Sequence, residues 1–153
     1  MESEYRQKAT RTKGWILVFI QIFALLLLSG WPPHLPQSLF AIILFCFGLL
    51  LLLYALFSMS RNSWSAHPQP SPHGTLTKKG PYKWIRHPMY TAVLVIGLVF
   101  LVSQPTLTRA VAWCLLLMVF YLKIVLEEKL LSSKYSDYRL YQQKTYRLIP
   151  GIW

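Results

Sequence analysis

Leu39-Phe-Ala-Ile-Ile-Leu-Phe-Cys-Phe-Gly-Leu-Leu-Leu-Leu-Leu-Tyr-Ala-Leu-Phe57 is an unbroken run of 19 apolar residues. A helix rises about 1.5 Å per residue, so the run reaches about 28 Å, close to the thickness of a bilayer's hydrocarbon core. Nothing charged interrupts it, and it reads as a transmembrane helix. Composition agrees: 54% of the 153 residues are hydrophobic and 14% are charged, which is not the profile of a soluble globule. The expected class is an all-α integral membrane protein, a single membrane-embedded domain over residues 1–153.

The formal net charge of +11 raises the question of nucleic acid. The basic residues lie in the flanks of the apolar runs, where membrane lipids and topology account for them, so no nucleic-acid partner is expected. Cys46 and Cys114 each sit inside an apolar run with no second Cys or His at ligand spacing. Neither a disulfide nor a metal site is indicated.

Upstream of the central run, residues 1–13 are polar and read as a lead-in, followed by a first span over Gly14–Trp31 broken by Gln21 and Ser29. A cleavable signal peptide is the rival, but the run is long for one and no A-x-A site follows. Trp31-Pro-Pro-His-Leu-Pro-Gln-Ser38 is a short turn, with His34 as a solvated loop residue. Downstream, residues 59–87 read as a Ser/Pro-rich loop, in which His67 and His73 are plain loop residues. Met89–Val102 and Ala110–Leu122 are shorter apolar runs separated by Ser-Gln-Pro-Thr-Leu-Thr-Arg109. They predict an antiparallel hairpin of two helices.

The expected spans are therefore 14–31, 39–58, 88–103 and 107–126, followed by a C-terminal helix over 127–147. With four spans and the N-terminus inside, only Arg109 of 16 basic residues falls outside. Both termini are then cytosolic, and the two ends of the hairpin meet on the cytosolic face.

Two stretches at those ends carry chemistry. In Gly80-Pro-Tyr-Lys-Trp-Ile-Arg-His-Pro-Met-Tyr90 an Arg-His pair abuts a proline able to open a helix. Orphan N–H donors and the positive end of the dipole suit an anionic group there. Arg86 could grip such a group, His87 could orient it or exchange a proton, and Tyr90 could stack or donate. A basic, aromatic collar at the membrane interface explains the same residues. Glu127 and Glu128 end an apolar helix where carboxylates oppose the dipole, so they need compensation, which Lys123 and Arg86 can supply. They read either as a structural ion-pair network or as part of a site. Tyr135, Tyr138 and Tyr141 recur every third residue and share a face of the expected C-terminal helix.

Gly80-Pro81-Tyr82, Arg86-His87-Pro88-x-Tyr90, Glu127-Glu128-x-Leu130-Leu131, Tyr138-x-x-Tyr141 and Arg147-Leu148-Ile149-Pro150-Gly151 together resemble the isoprenylcysteine carboxyl methyltransferase family. Its superfamily takes in phospholipid N-methyltransferases. The resemblance spans roughly residues 64 to 153. It implies a small multi-span enzyme that binds S-adenosylmethionine at the cytosolic face and methylates a lipophilic substrate from the bilayer. By that resemblance Gly80, Tyr82, His87, Pro88 and Tyr90 line the cofactor pocket and the acidic pair closes it. Glu127 and Glu128 would bind the cofactor's polar or cationic end, and Arg86 and Lys123 would orient carboxylates or substrate. Lys123 stands where family members often carry arginine. Lysine keeps the charge without a planar bidentate grip, which weighs against a prenylcysteine-type carboxylate acceptor. No Gly-rich βα turn is present, so a cofactor site must be built from helix ends and the loop. The remaining alternatives are an NADPH-dependent membrane sterol or steroid reductase with a similar Arg-His-Pro-x-Tyr pattern, and a membrane scaffold without catalytic activity.

Overall fold

The computed structural model describes residues 2–30, 36–60, 63 and 74–152. His34, Arg61, His67 and His73 lie outside the described residues. Among the described residues there are five α-helices: α1 (Glu2–Ser29), α2 (Leu39–Ser58), α3 (Pro88–Ser103), α4 (Leu107–Lys134) and α5 (Tyr138–Gln143). A 3₁₀ turn, Gly80–Lys83, precedes α3. Among the described residues there is no strand, only an isolated parallel bridge between Ile85 and Tyr146.

Three of the helices are long and apolar enough to cross a membrane: Thr10–Ser29, Leu39–Ser58 and Leu107–Lys134. Their outward faces carry large apolar side chains, Phe19, Phe40, Leu50, Phe57 and Met118 among them. A soluble protein hides such residues, whereas acyl chains solvate them. α3 has 16 residues, about 24 Å of helix, and is the short member of the set.

α1 packs chiefly on α4 and α2 on α3, while contacts of α3 with α4 and with α1 join the two pairs. Gly48 allows the close crossing of α2 over α3: a Cβ there would lie 2.8 Å from Ile96 Cγ1 and 3.3 Å from the Ala92 carbonyl. The apolar centre is formed by Ala24 and Leu28 of α1, Leu94 of α3, and Ala112, Leu116, Phe120 and Ile124 of α4. Leu148 joins it from the C-terminal tail. Away from the Arg-His end, buried Arg109 donates to the carbonyls of Phe100 (3.2 Å), Gln104 (3.3 Å) and Ser29 (3.4 Å). It thereby satisfies helix-end acceptors of both α3 and α1.

The structure corrects the expected boundaries in two places. α1 starts at Glu2, not near Gly14, because the polar lead-in contains no Pro or Gly to stop a helix growing outward from the apolar run. The link between α3 and α4 is the three residues between the expected spans, Gln104–Thr106. Thr106 caps α4 by accepting from the Arg109 N–H (3.2 Å), which draws Leu107–Arg109 into the helix.

The second correction is the larger. No helix spans 127–147: α4 runs on to Lys134, the chain breaks over Tyr135–Asp137, and α5 ends at Gln143. Ser132 and Ser133 hydroxyls donate back to the Glu128 and Leu130 carbonyls (2.7 and 2.8 Å). Ser136 and Asp137 then favour a turn over helix continuation. Leu107 to Leu126 accounts for about 30 Å, one hydrocarbon thickness, so Glu127 and Glu128 begin where an apolar environment ends.

Candidate functional site

Pro88 occupies the first turn of α3 and His87 is its N-cap residue, the placement that the sequence predicts for a proline with no N–H to lose. The segment just before it is fixed by backbone pairing with the C-terminal tail. Tyr146 N–H donates to the Trp84 carbonyl (2.9 Å), Arg86 N–H to Tyr146 (2.7 Å) and His87 N–H to Arg147 (3.1 Å). The Thr91 hydroxyl adds a bond to the Leu148 carbonyl (2.9 Å). The tail after α5 therefore sets the direction in which Arg86 and His87 leave the chain.

Arg86 is the hub of the charged cluster. Its Nε donates to Glu128 Oε1 (2.7 Å), while Nη1 donates to the carbonyls of Gln142 (3.1 Å) and Thr145 and to Thr145 Oγ1 (3.2 Å). Glu128 is buried and also accepts from Arg147 Nε (3.1 Å) and Gln142 Nε2 (3.4 Å). Two guanidinium groups and an amide thus satisfy this carboxylate, as a buried charge requires. His87 stands between the two acids, with Nδ1 3.6 Å from Glu127 Oε2 and Nε2 3.5 Å from Glu128 Oε1.

Glu127 has a different environment, with its side chain 28% exposed and accepting from the Tyr90 hydroxyl (3.0 Å). Tyr90 is held in a column of rings, parallel to His87 (centroids 5.5 Å) and to Phe120 (4.6 Å). Lys123 Nζ lies 5.3 Å from the Tyr90 centroid and donates to Gln21 Oε1 of α1 (2.7 Å). A cation at that range over a phenol ring is attracted by its quadrupole, so Lys123 steadies Tyr90 while linking α4 to α1.

An open cleft with about 830 Å³ of empty space faces this cluster. Its walls include Tyr82, Arg86, His87, Tyr90 and Glu127 from the sequence-predicted set, together with Tyr135, Tyr138 and Tyr141. Met59, Met89 and Leu131 supply an apolar side. Four sequence-predicted residues do not line it. Glu128 lies behind Arg86, Lys123 lies against Tyr90, and buried Pro88 starts α3. Gly80, at φ +56°, presses against Ser58 at the end of α2.

The three tyrosines of the C-terminal region reach the cleft through the break after α4, not along one helical face. Tyr135 donates to the Gly74 carbonyl (2.6 Å) and Tyr141 to the Tyr82 carbonyl (2.7 Å). Burial pushes the phenols of Tyr82, Tyr138 and Tyr141 above the usual tyrosine range. The charge of Glu127 adds to this at Tyr82, and those of Glu128 and Glu127 at Tyr138. All three are neutral hydroxyls at physiological pH. Arg147 and Thr145, which the sequence reading did not place in the site, hold Glu128 and Arg86. The signal for them was the Arg-Leu-Ile-Pro-Gly tail itself.

Among the described residues, apolar helices long enough to cross a membrane thus sit beside a cleft lined by one carboxylate, one guanidinium, one imidazole and several phenols. A family model for the isoprenylcysteine carboxyl methyltransferase (ICMT) family matches residues 41–133, more than half of the chain, and the chain belongs to that family. Membership makes it a multi-pass membrane methyltransferase. No curated protein matches the chain.

Proposed function

We propose that the protein is an S-adenosylmethionine-dependent methyltransferase that acts at the cytosolic membrane face on a lipophilic acceptor entering from the bilayer. The observation that carries this reading is Glu127, the one carboxylate lining the cleft among the described residues, set beside stacked aromatic rings. A carboxylate next to π-faces suits a sulfonium cation. The whole chain, residues 1–153, forms one domain. It crosses the membrane four times, with α3 and α4 as an antiparallel hairpin and both termini cytosolic. Local thinning of the bilayer takes up the shortfall of about 6 Å in α3.

Bound S-adenosylmethionine would supply an electrophilic methyl group to the acceptor's lone pair, and Glu127 would face the sulfonium end that loses its positive charge on transfer. Glu127 therefore contributes to ground-state affinity more than to rate, since a fixed carboxylate stabilises the cation most before reaction. Tyr90, clamped between His87 and Phe120, keeps the carboxylate aimed. Glu128 positions Arg86 and His87 and carries no direct ligand contact. Rate acceleration comes from holding acceptor and methyl in line and from the exclusion of water by Met59, Met89 and Leu131. Lys123 faces α1, leaving Arg86 as the cleft's guanidinium, already committed to Glu128 and the tail. The site thus favours a neutral lipophilic nucleophile over a carboxylate.

A thermal-shift experiment on purified protein tests the reading. At 100 times its dissociation constant, S-adenosylhomocysteine should stabilise the fold by about 2.7 kcal/mol, while NADPH should leave the melting temperature unchanged. Stabilisation by NADPH alone would replace a methyltransferase with a reductase.

A further inference from the structure

Three tyrosine hydroxyls around the cleft are committed to protein partners: Tyr90 donates to Glu127, Tyr135 to the Gly74 carbonyl and Tyr141 to the Tyr82 carbonyl. Tyr138 differs in being buried with no such partner. It is 1% exposed, it lines the cleft, and its hydroxyl has no hydrogen-bond partner among the described residues. A buried phenol oxygen left without a partner costs free energy, and native structures keep few such groups outside functional sites.

Packing offers no reason for a tyrosine there. The Tyr138 ring leans on Tyr141 at 5.9 Å between centroids and 57° between planes, a contact phenylalanine would make equally well. The other orphan polar atom of the site, His87 Nε2, at least faces the Glu128 carboxylate at 3.5 Å. Among the described cleft-lining residues, Tyr138 therefore carries the one buried hydroxyl that is unspent by the fold. Burial and the two nearby carboxylates hold it in the protonated form, so it is a donor.

We infer that the Tyr138 hydroxyl is a ligand-binding group that donates a hydrogen bond to an acceptor atom of the bound nucleoside cofactor. This contact rests on the reading of the cleft as an S-adenosylmethionine site. Its partner is an oxygen or ring nitrogen of the ligand, since Glu127 takes the cationic end. The break over Tyr135–Asp137 thereby gains a purpose. It starts α5 at Tyr138, whereas the continuous helix expected from sequence would have directed the tyrosines along a single face.

Calorimetry with S-adenosylhomocysteine on wild type, Tyr138→Phe and Tyr141→Phe, with ligand-free melting temperatures, tests the inference. Tyr138→Phe should bind about tenfold more weakly. Its ligand-free melting temperature should equal or exceed wild type, because the substitution removes an unsatisfied buried group. Tyr141→Phe should melt early, having lost its bond to the Tyr82 carbonyl, with a smaller change in affinity. Wild-type binding with unchanged affinity in Tyr138→Phe overturns the contact and leaves the cofactor reading standing. Absence of binding by wild type removes both. A Tyr138→Phe protein that fails to fold would show the hydroxyl serving the fold, which also overturns the inference.

Discussion

Replacing Glu128 by glutamine exchanges one carboxylate oxygen for an NH₂ group and removes a buried charge. The remaining oxygen can still accept from Arg86 Nε, now 2.7 Å from Oε1, but the NH₂ group then meets two donors, Arg147 Nε at 3.1 Å and Gln142 Nε2 at 3.4 Å. Breaking a buried pair from one side costs about 3–5 kcal/mol, and the one-third exposure of Arg147, which lets water recover part of its loss, brings the expected value to about 3 kcal/mol. For a chain of this size that is a fall of about 6–12 °C in melting temperature. Glu127→Gln should behave differently. Its side chain is 28% exposed and the amide oxygen can still accept from Tyr90, so the fold should change by less than about 1 kcal/mol. Loss of the charge that faces the cleft should weaken binding of S-adenosylmethionine, which carries the sulfonium, by about tenfold or more, seen as a raised KM with a smaller change in kcat. Differential scanning fluorimetry without ligand, paired with calorimetry, reads both quantities. The division of labour between the two acids is refuted if Glu128→Gln melts with wild type, or if Glu127→Gln binds the ligand normally.

Gly80→Ala places a Cβ 2.0 Å from Ser58 Oγ at φ +56°, and the left-handed backbone alone costs about 1–2 kcal/mol. A lowered melting temperature is expected, and an unchanged one would contradict the packing of the 3₁₀ turn on α2. The raised phenols of Tyr82, Tyr138 and Tyr141 stabilise the fold fully below the unfolded tyrosine value. As pH rises past about 10 the unfolded chain releases protons that the folded one retains, so stability should fall there. Melting curves at pH 8 and 10.5 check the sign. Single cysteines introduced by Gln37→Cys and Ser136→Cys, with Cys46 and Cys114 replaced by alanine, should react with an impermeant maleimide from opposite sides of the membrane. Same-side labelling would remove the four-span arrangement.

Much of the fold was legible because its determinants are local. The apolar run of α2 has one reading, and Pro88 after an Arg-His pair marked the start of α3 to the residue. The acidic pair announced itself by opposing its own helix dipole, and Arg86 was recognisable as its compensating cation. What could not be read is carried by contacts between distant residues. Lys123 looked poised for the site at one turn from Glu127, yet Gln21, 102 residues away, takes its ammonium group. The pairing of Trp84–His87 with Tyr146–Arg147 leaves no local pattern, so the tail's hold on the site was invisible. The tyrosine repeat at 135, 138 and 141 suggested a continuous helix because spacing reports periodicity and not the Ser-Asp turn that interrupts it. Among the cleft's residues, sequence identified those whose side chains carry charge more readily than those whose importance is an unpaired hydroxyl.

Hydrogen–deuterium exchange of the purified protein with and without S-adenosylhomocysteine tests the cleft as the cofactor site most directly, since it reports both binding and place. The account predicts slower amide exchange in Thr75–His87 and in Tyr135–Thr145, the segments that bound the cleft, and no change in Leu107–Phe120 at the opposite end of α4. With S-adenosylmethionine as the ligand, the protection should shrink in Glu127→Gln at the same concentration. Absence of protection under saturating ligand, or protection confined to the Arg109 end of the helices, would contradict it.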